Sequence, residues 1–85
     1  MMYYVYILQS LKDQSYYKGY TTDLDVQLAK HNRGGQFYTA QKRPWEILCY
    51  FVFKDKHTAT AFERYIKSGS GFAFCKKHFM KEIKE

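Results

Sequence analysis

The alternation of apolar and polar positions divides the chain into strand-like and helix-like stretches separated by short polar breaks. Met2-Tyr3-Tyr4-Val5-Tyr6-Ile7-Leu8-Gln9 is β-branched or aromatic at successive positions, the pattern of a strand covered on both faces. Ser10–Ser15 is polar turn material, and Tyr16-Tyr17-Lys18-Gly19-Tyr20 resumes β character, so the two segments read as a hairpin. Gly19 within it marks a bend or a close backbone approach. Thr22 with Asp25 three residues on has the layout of a capping box, Asp replacing the usual Glu, and acids early in a helix suit its dipole. Leu24, Leu28 and His31 then recur at helical spacing, which predicts a helix over 23–32 with Gln27 beside the apolar stripe. Asn32-Arg33-Gly34-Gly35 ends it, with glycine available for a left-handed cap.

A basic, polar loop is expected through Gln41, and Arg43-Pro44 forces an extended entry into the next segment. Trp45–Phe53 is apolar on both faces and is therefore expected at the centre of the sheet. Asp55 or Thr58 caps a second helix whose apolar side is Ala59, Phe62 and Ile66, and Ser68-Gly69-Ser70-Gly71 breaks it. A third helix is predicted from about Phe72 to Glu82, with Phe72, Cys75, Phe79 and Ile83 inward. The order is ββαβαα, an α+β fold in which helices pack on a small sheet.

Composition adds bounds to this picture. A chain of 85 residues fits one domain, 1–85. Nine Tyr, seven Phe and one Trp against one Pro argue for a packed core rather than disorder. No apolar run approaches the roughly 20 residues of a bilayer span, and the apolar start lacks a basic flank and a cleavage site, so a cytoplasmic protein with no membrane partner is expected. Cys49 and Cys75 are too few for a disulfide framework and lack C-x-x-C spacing, so both read as small apolar fillers.

Charge changes the picture further. The formal net charge is +6, and residues 54–85 carry eight cations against four acids. From Arg64 to Lys81 there are five cations and no acid, interleaved with Phe and Tyr. Such a stretch suits a phosphate backbone, although a solvated helix face has the same composition.

Walker loops, dinucleotide-binding glycine patterns, nucleophile elbows and H-E-x-x-H are all missing, and His31, His57 and His78 lie far apart in sequence. What remains is a combination of Tyr6, Tyr17, a polar helix face with His31, and the lone acid Glu63 on an otherwise basic helix. Each has an ordinary reading, as sheet tyrosine, cap-adjacent histidine or solvated helix acid. Their joint order does not. Tyr4-Val5-Tyr6, followed after eleven residues by Tyr17-Lys18-Gly19, resembles the paired strand motifs of the GIY-YIG nuclease domain. Tyr20-Thr21-Thr22-Asp23-Leu24 through Lys30-His31-Asn32 continues the likeness. Tyr38-Thr39, Arg43-Pro44-Trp45, Ala59 through Glu63, Ile66-Lys67 and Ser68-Gly69-Ser70-Gly71 are similar to the small stand-alone bacterial members of that family.

The resemblance implies a three-stranded antiparallel sheet flanked by helices, and cleavage of DNA phosphodiester bonds by an activated water with one divalent metal, Mg²⁺ or Mn²⁺. By position, Tyr6 and Tyr17 become the motif tyrosines, Tyr17 being the phenol that helps to activate or orient the water. A free phenol titrates near ~10, so this role asks for a nearby cation. His31 would assist or contact phosphate, and Glu63 corresponds to the family's metal-binding glutamate. Lys18, Lys30, Arg33, Lys42, Arg43, Arg64, Lys67, Lys76 and Lys77 are the expected contacts to duplex or branched DNA, or to RNA.

The sequence departs from the family at one telling place: Gln27 occupies the position of an arginine. That arginine gives the scissile phosphate a fixed bidentate charge which a neutral amide does not replace, a loss of about 10²–10³ in rate. Lys30 lies on a neighbouring face as a point charge, and milder departures put Tyr4, Val5 and Lys18 in place of glycine and two isoleucines. Two readings follow. One is a metal-dependent endonuclease weakened by Gln27; the other is a catalytically degenerate domain that binds nucleic acid without cutting it.

Overall fold

The structure, a computed structural model, describes residues 1–80. Two strands come first, β1 (Tyr3–Ser10) and β2 (Tyr16–Thr21), followed by helices α1 (Leu24–Asn32) and α2 (Phe37–Ala40). Strand β3 (Trp45–Phe53) and helices α3 (Lys56–Ile66) and α4 (Gly69–His78) complete the order. The sheet is antiparallel throughout, with strand order β2-β1-β3. The expected ββαβαα order is therefore present, with the short α2 added where the pattern read as loop.

The central strand is β1, not β3, which corrects the expectation. Val5, Tyr6, Ile7 and Leu8 are all buried because β1 is covered on both faces. On one side Val5 and Ile7 pack with Ala59, Ile66 and Cys75 under α3 and α4. On the other, Tyr6 and Leu8 pack with Trp45, Leu24 and Leu28 beneath α1. β3 is an edge strand whose burial alternates, leaving Leu48, Tyr50 and Val52 exposed. A run of large apolar residues marks both strands, so composition alone did not separate the middle from the edge.

The caps differ in detail. Asp23, not Thr22, caps α1: its carboxylate accepts from Val26 N at 3.1 Å, and its own N–H donates to Thr21 Oγ1 at 3.1 Å. The helix begins one residue later than the Thr22–Asp25 box requires. Gly34, at φ 80°, supplies the left-handed residue after the C-terminus of α1. Asp55 caps α3 through Thr58 N at 2.7 Å, and burial of Ala59 and Ile66 matches the expected inner side.

Ser68 caps α4 by accepting from Gly71 N at 3.2 Å, so the Ser-Gly-Ser-Gly run is a cap and first turn rather than a gap between distant helices. Gly71 lies against the Tyr65 carbonyl, where a Cβ would overlap the backbone. The buried stripe of α4 runs through Gly71 and Cys75, which leaves Phe72 beside it rather than in it and corrects its inward assignment: it is 43% exposed. Its ring instead lies under Lys18, 4.5 Å from Nζ. Cys75 is buried and Phe79 packs on the same cluster, but α4 ends at His78 rather than running to Glu82: Phe79 is its C-cap, and Phe79 N and Met80 N both donate to the Cys75 carbonyl, at 2.7 and 3.0 Å. Ile83, expected inward, lies outside the described residues. Both cysteines are free, and burial raises both thiols, as expected of fillers. No helix among the described residues is long and apolar enough to cross a membrane.

Candidate active site

The centre begins at the pairing of β1 with β2, where Tyr6 stands opposite Gly19. Glycine is required there by contact: a Cβ would lie 2.5 Å from Tyr6 Oη and 2.6 Å from Cζ. Across the missing side chain the phenol of Tyr6 meets His31 of α1, with Oη and Nε2 3.1 Å apart. His31 Nδ1 is 2.8 Å from Thr39 Oγ1 of α2, and Thr39 Oγ1 donates to the Gln36 carbonyl at 3.4 Å. Because the Thr39 hydrogen is used on Gln36, its oxygen accepts from Nδ1–H, and Nε2 is left to accept from Tyr6. The polarity of the chain is thus assigned from Tyr6 through His31 and Thr39 to Gln36.

Burial, and secondarily the Lys30 charge, holds the His31 pKa below its ordinary value, so the ring is neutral near pH 7. Burial also pushes the Tyr6 phenol well up, with Tyr17 and Glu63 adding to the rise and the Gln27 amide opposing it. Tyr6 is therefore a firmly protonated donor.

Tyr17 occupies the outer side of this pair. Its ring centroid lies 4.9 Å from that of His31 and 6.4 Å from that of Tyr6, and its Oη donates to Gln36 Oε1 at 3.4 Å. Unlike Tyr6, which is 2% exposed, Tyr17 is half-buried and borders a cleft of about 210 Å³. Lys18, Tyr38 and Lys67 also line that cleft. Burial lowers the Lys18 pKa, with the Lys67 charge adding a smaller push in the same direction. Glu63 on α3 accepts from Lys67, Nζ to Oε2 2.9 Å.

The structure therefore gathers Tyr6, Tyr17 and His31, with Lys18 and Lys67 at the cleft and Glu63 bonded to Lys67; Gln27 lies one turn before His31 on α1, and Lys30 directly precedes it. Arg43 lays its guanidinium against Gly34, where a Cβ would overlap it, and Arg33 is the C-cap of α1. Lys42 is paired with Asp13 at 2.9 Å, and that carboxyl, held by Ser15 and Lys42, stays well below the usual carboxylate range. Arg64, Lys76 and Lys77 are exposed on the outer helices. The expected basic stretch is thus dispersed rather than one stripe.

Gln36, Tyr38 and Thr39 escaped the residue-level reading because their stretch looked like a polar loop. Asn32 did too: its amide accepts from Trp45 N at 2.6 Å and donates to Trp45 O at 3.0 Å, fixing the end of α1 to β3. Asn32 and Tyr38-Thr39 carried a signal only as part of the family likeness, and Gln36 carried none. Among the described residues no group of three or more His, Cys, Asp or Glu could hold a metal ion. Glu63 alone, its pair with Lys67 using Oε2, fits a cation of the magnesium type, which keeps waters and binds through one or two carboxylates plus substrate phosphate.

The family model for the GIY-YIG catalytic domain matches residues 2–81. The chain belongs to the GIY-YIG family. It is 42% identical over 66 residues to a UPF0213 protein of Lacticaseibacillus paracasei, covering 76% of this chain and 73% of that one. It is 41% identical over 68 residues to the UPF0213 protein BH0048 of Halalkalibacterium halodurans, covering 79% and 71% respectively. The solution NMR structure of UPF0213 protein BH0048 from Bacillus halodurans superposes with a TM-score of 0.54 at 36% identity, over 91% of this chain and 84% of that one. A GIY-YIG domain places the chain in a nuclease-type family, whose substrates are nucleic acids, and the Tyr6–Tyr17–His31 cluster is where its two strand motifs meet.

Proposed function

We propose that this chain is a metal-dependent DNA endonuclease, slowed by Gln27, that hydrolyses phosphodiester bonds with an activated water. The observation that carries the reading is the convergence of Tyr6, Tyr17 and His31 beside one cleft, with Gln27 one turn before His31 and Glu63 bonded to Lys67 of the cleft wall.

The roles follow from burial and polarity. Tyr6 holds its proton toward His31 Nε2 and fixes the ring, while Thr39 fixes the tautomer from the other side. Tyr17 presents its phenolic oxygen at the cleft and orients the attacking water. Lys18 and Lys67 hold the phosphate by charge. Glu63 would hold Mg²⁺ or Mn²⁺, which when bound supplies Lewis-acid stabilisation of the charge on the phosphate and the leaving oxygen. Lys67 now sits on that carboxylate, so substrate phosphate and cation have a charge to displace.

The second reading, binding of DNA or RNA without cleavage, is favoured by the same pair of observations: an amide at Gln27, and an internal cation on Glu63. Incubation with supercoiled and branched DNA, with Mg²⁺ or Mn²⁺ and with EDTA, separates the two. Expected are slow, metal-dependent nicking, a gain of about 10²–10³ in Gln27→Arg, and loss in Glu63→Ala and Tyr17→Phe. Nicking that persists unchanged in Glu63→Ala and Tyr17→Phe overturns the site. Salt-dependent binding with no nicking until Gln27→Arg is introduced selects the non-cleaving reading.

A further inference from the structure

We propose that Phe37 and Tyr38 of α2 form a stacking platform for unpaired bases, so that the substrate class is a nucleic acid with single-stranded or frayed positions beside the bond to be cut. The proposal rests on the nuclease reading of the adjacent cleft. Its starting point is exposure: Phe37 is 85% and Tyr38 65% exposed, although large aromatic side chains usually account for much of a core. Neither ring belongs to the two apolar clusters that hold the sheet.

The rings are nonetheless rigidly presented. Between their positions and the body of the fold, Thr39 is fully buried and bonded to His31, and its carbonyl accepts from Trp45 Nε1 at 2.9 Å. Ala40 N closes the turn onto the Gln36 carbonyl at 2.9 Å. A platform held this way loses little conformational freedom when a flat ligand settles on it.

Position and charge identify the ligand. The Tyr38 ring lies 6.3 Å from the Tyr17 ring and lines the cleft at the candidate centre. On its other side, Tyr38 and Phe37 border a second hollow of about 350 Å³, together with Lys12, Gln41 and the Lys42–Asp13 pair. One surface therefore runs from Tyr17 over Tyr38 to Phe37, with Lys18 and Lys67 at the near end and Lys12 and Lys42 at the far end. Lys42 and Lys67 are tied to Asp13 and Glu63, so Lys18 at the near end and Lys12 at the far end are the cations left to phosphate. Aromatic faces set in a row between cations are the arrangement that takes stacked bases with their phosphates alongside. In an intact duplex both faces of each base are already covered by its neighbours. Only unpaired bases offer a face to these rings.

Anisotropy measurements in EDTA, with labelled single strand, blunt duplex and forked duplex of one sequence, test the proposal. The wild type should prefer single-stranded and forked DNA. Phe37→Ala and Tyr38→Ala should each weaken those two by about tenfold, leave the blunt duplex within about twofold and keep the salt slope unchanged, whereas Tyr38→Phe should bind like wild type. Equal weakening on blunt duplex, or no weakening at all, overturns the platform. So does a result in which Phe37→Ala abolishes self-association in sedimentation while nucleic-acid affinity is unaltered. A wild type that binds and nicks duplex while ignoring both alanine variants leaves the nuclease reading standing and removes the platform; absence of all nucleic-acid binding removes both.

Discussion

At the scale of single residues, His31 carries the most information. It is fully buried with both ring nitrogens engaged, and burial depresses its pKa from the ordinary 6.5. Below pH 6.5 the unfolded chain takes up a proton at this position that the folded chain resists, so the unfolded state binds more protons and stability rises with pH through this range. Urea midpoints should therefore fall as pH is lowered from 7.5 toward 5, and His31→Gln should flatten that part of the curve. An unchanged slope in His31→Gln would assign the acid sensitivity elsewhere. Asp13 and Asp55, whose carboxyls are held low by their hydrogen bonds, add sensitivity only further down, as pH drops below 3.8. The sequence showed His31 on the inner side of a helix, and that much was legible from spacing. Its partners were not, because Tyr6 and Thr39 lie 25 and 8 residues away and no local pattern encodes a bond across that distance.

At the scale of elements, α2 is the instructive case. Four residues are too short to be helical by propensity, and the stretch around Phe37–Ala40 reads as a polar loop. It forms because the buried Thr39 is pinned between His31 and Trp45. Thr39→Val keeps the volume, removes the acceptor for His31 Nδ1–H and should cost about 1–3 kcal/mol. Hydrogen exchange should locate the loosening in 36–42, with the amides of β1 changed only by the global loss. Uniform acceleration over the whole sheet would mean that α2 is not held locally. The long helices and the hairpin are the opposite case: apolar spacing placed α1 to within about a residue, and the inner side of α3 at Ala59 and Ile66 was legible with Asp55 as one of its two offered caps, since these determinants are local. The start of α4 was misplaced because Ser-Gly-Ser-Gly reads as a breaker, while in the fold Ser68 caps the helix and Gly71 admits the Tyr65 carbonyl.

At the scale of the whole molecule, the charge of +6 is less uniform in effect than in count. Lys42 is neutralised by Asp13 and Lys67 leans on Glu63, whereas Lys18 borders the cleft with its Nζ over the Phe72 ring and no carboxylate partner among the described residues. Under the proposed function, the dependence of DNA affinity on salt should distinguish them. Lys18→Ala should lower the slope of log K against log salt by about one, and Lys42→Ala should leave it nearly unchanged. The reverse outcome would move the phosphate track from β2 to the Asp13 side of α2. The Gln27 substitution belongs to this scale as well, because the centre has cations at its rim and an amide where a fixed charge would meet the phosphate.

The sequence by itself determined the ββαβαα order, the existence of the three sheet-covering helices and the GIY-YIG likeness, and that likeness nominated the set Tyr6, Tyr17, Gln27, His31 and Glu63. These are properties of spacing, and spacing survives in one dimension. Tertiary structure decided that β1 lies in the middle, that Gly19 is there to admit the Tyr6 ring, and that His31 is neutral with an assigned tautomer. It also decided which cations are already paired, and that Phe37 and Tyr38 stand outside the core. All of these depend on what lies across a strand or a helix, and burial and pairing are set by neighbours in space rather than along the chain.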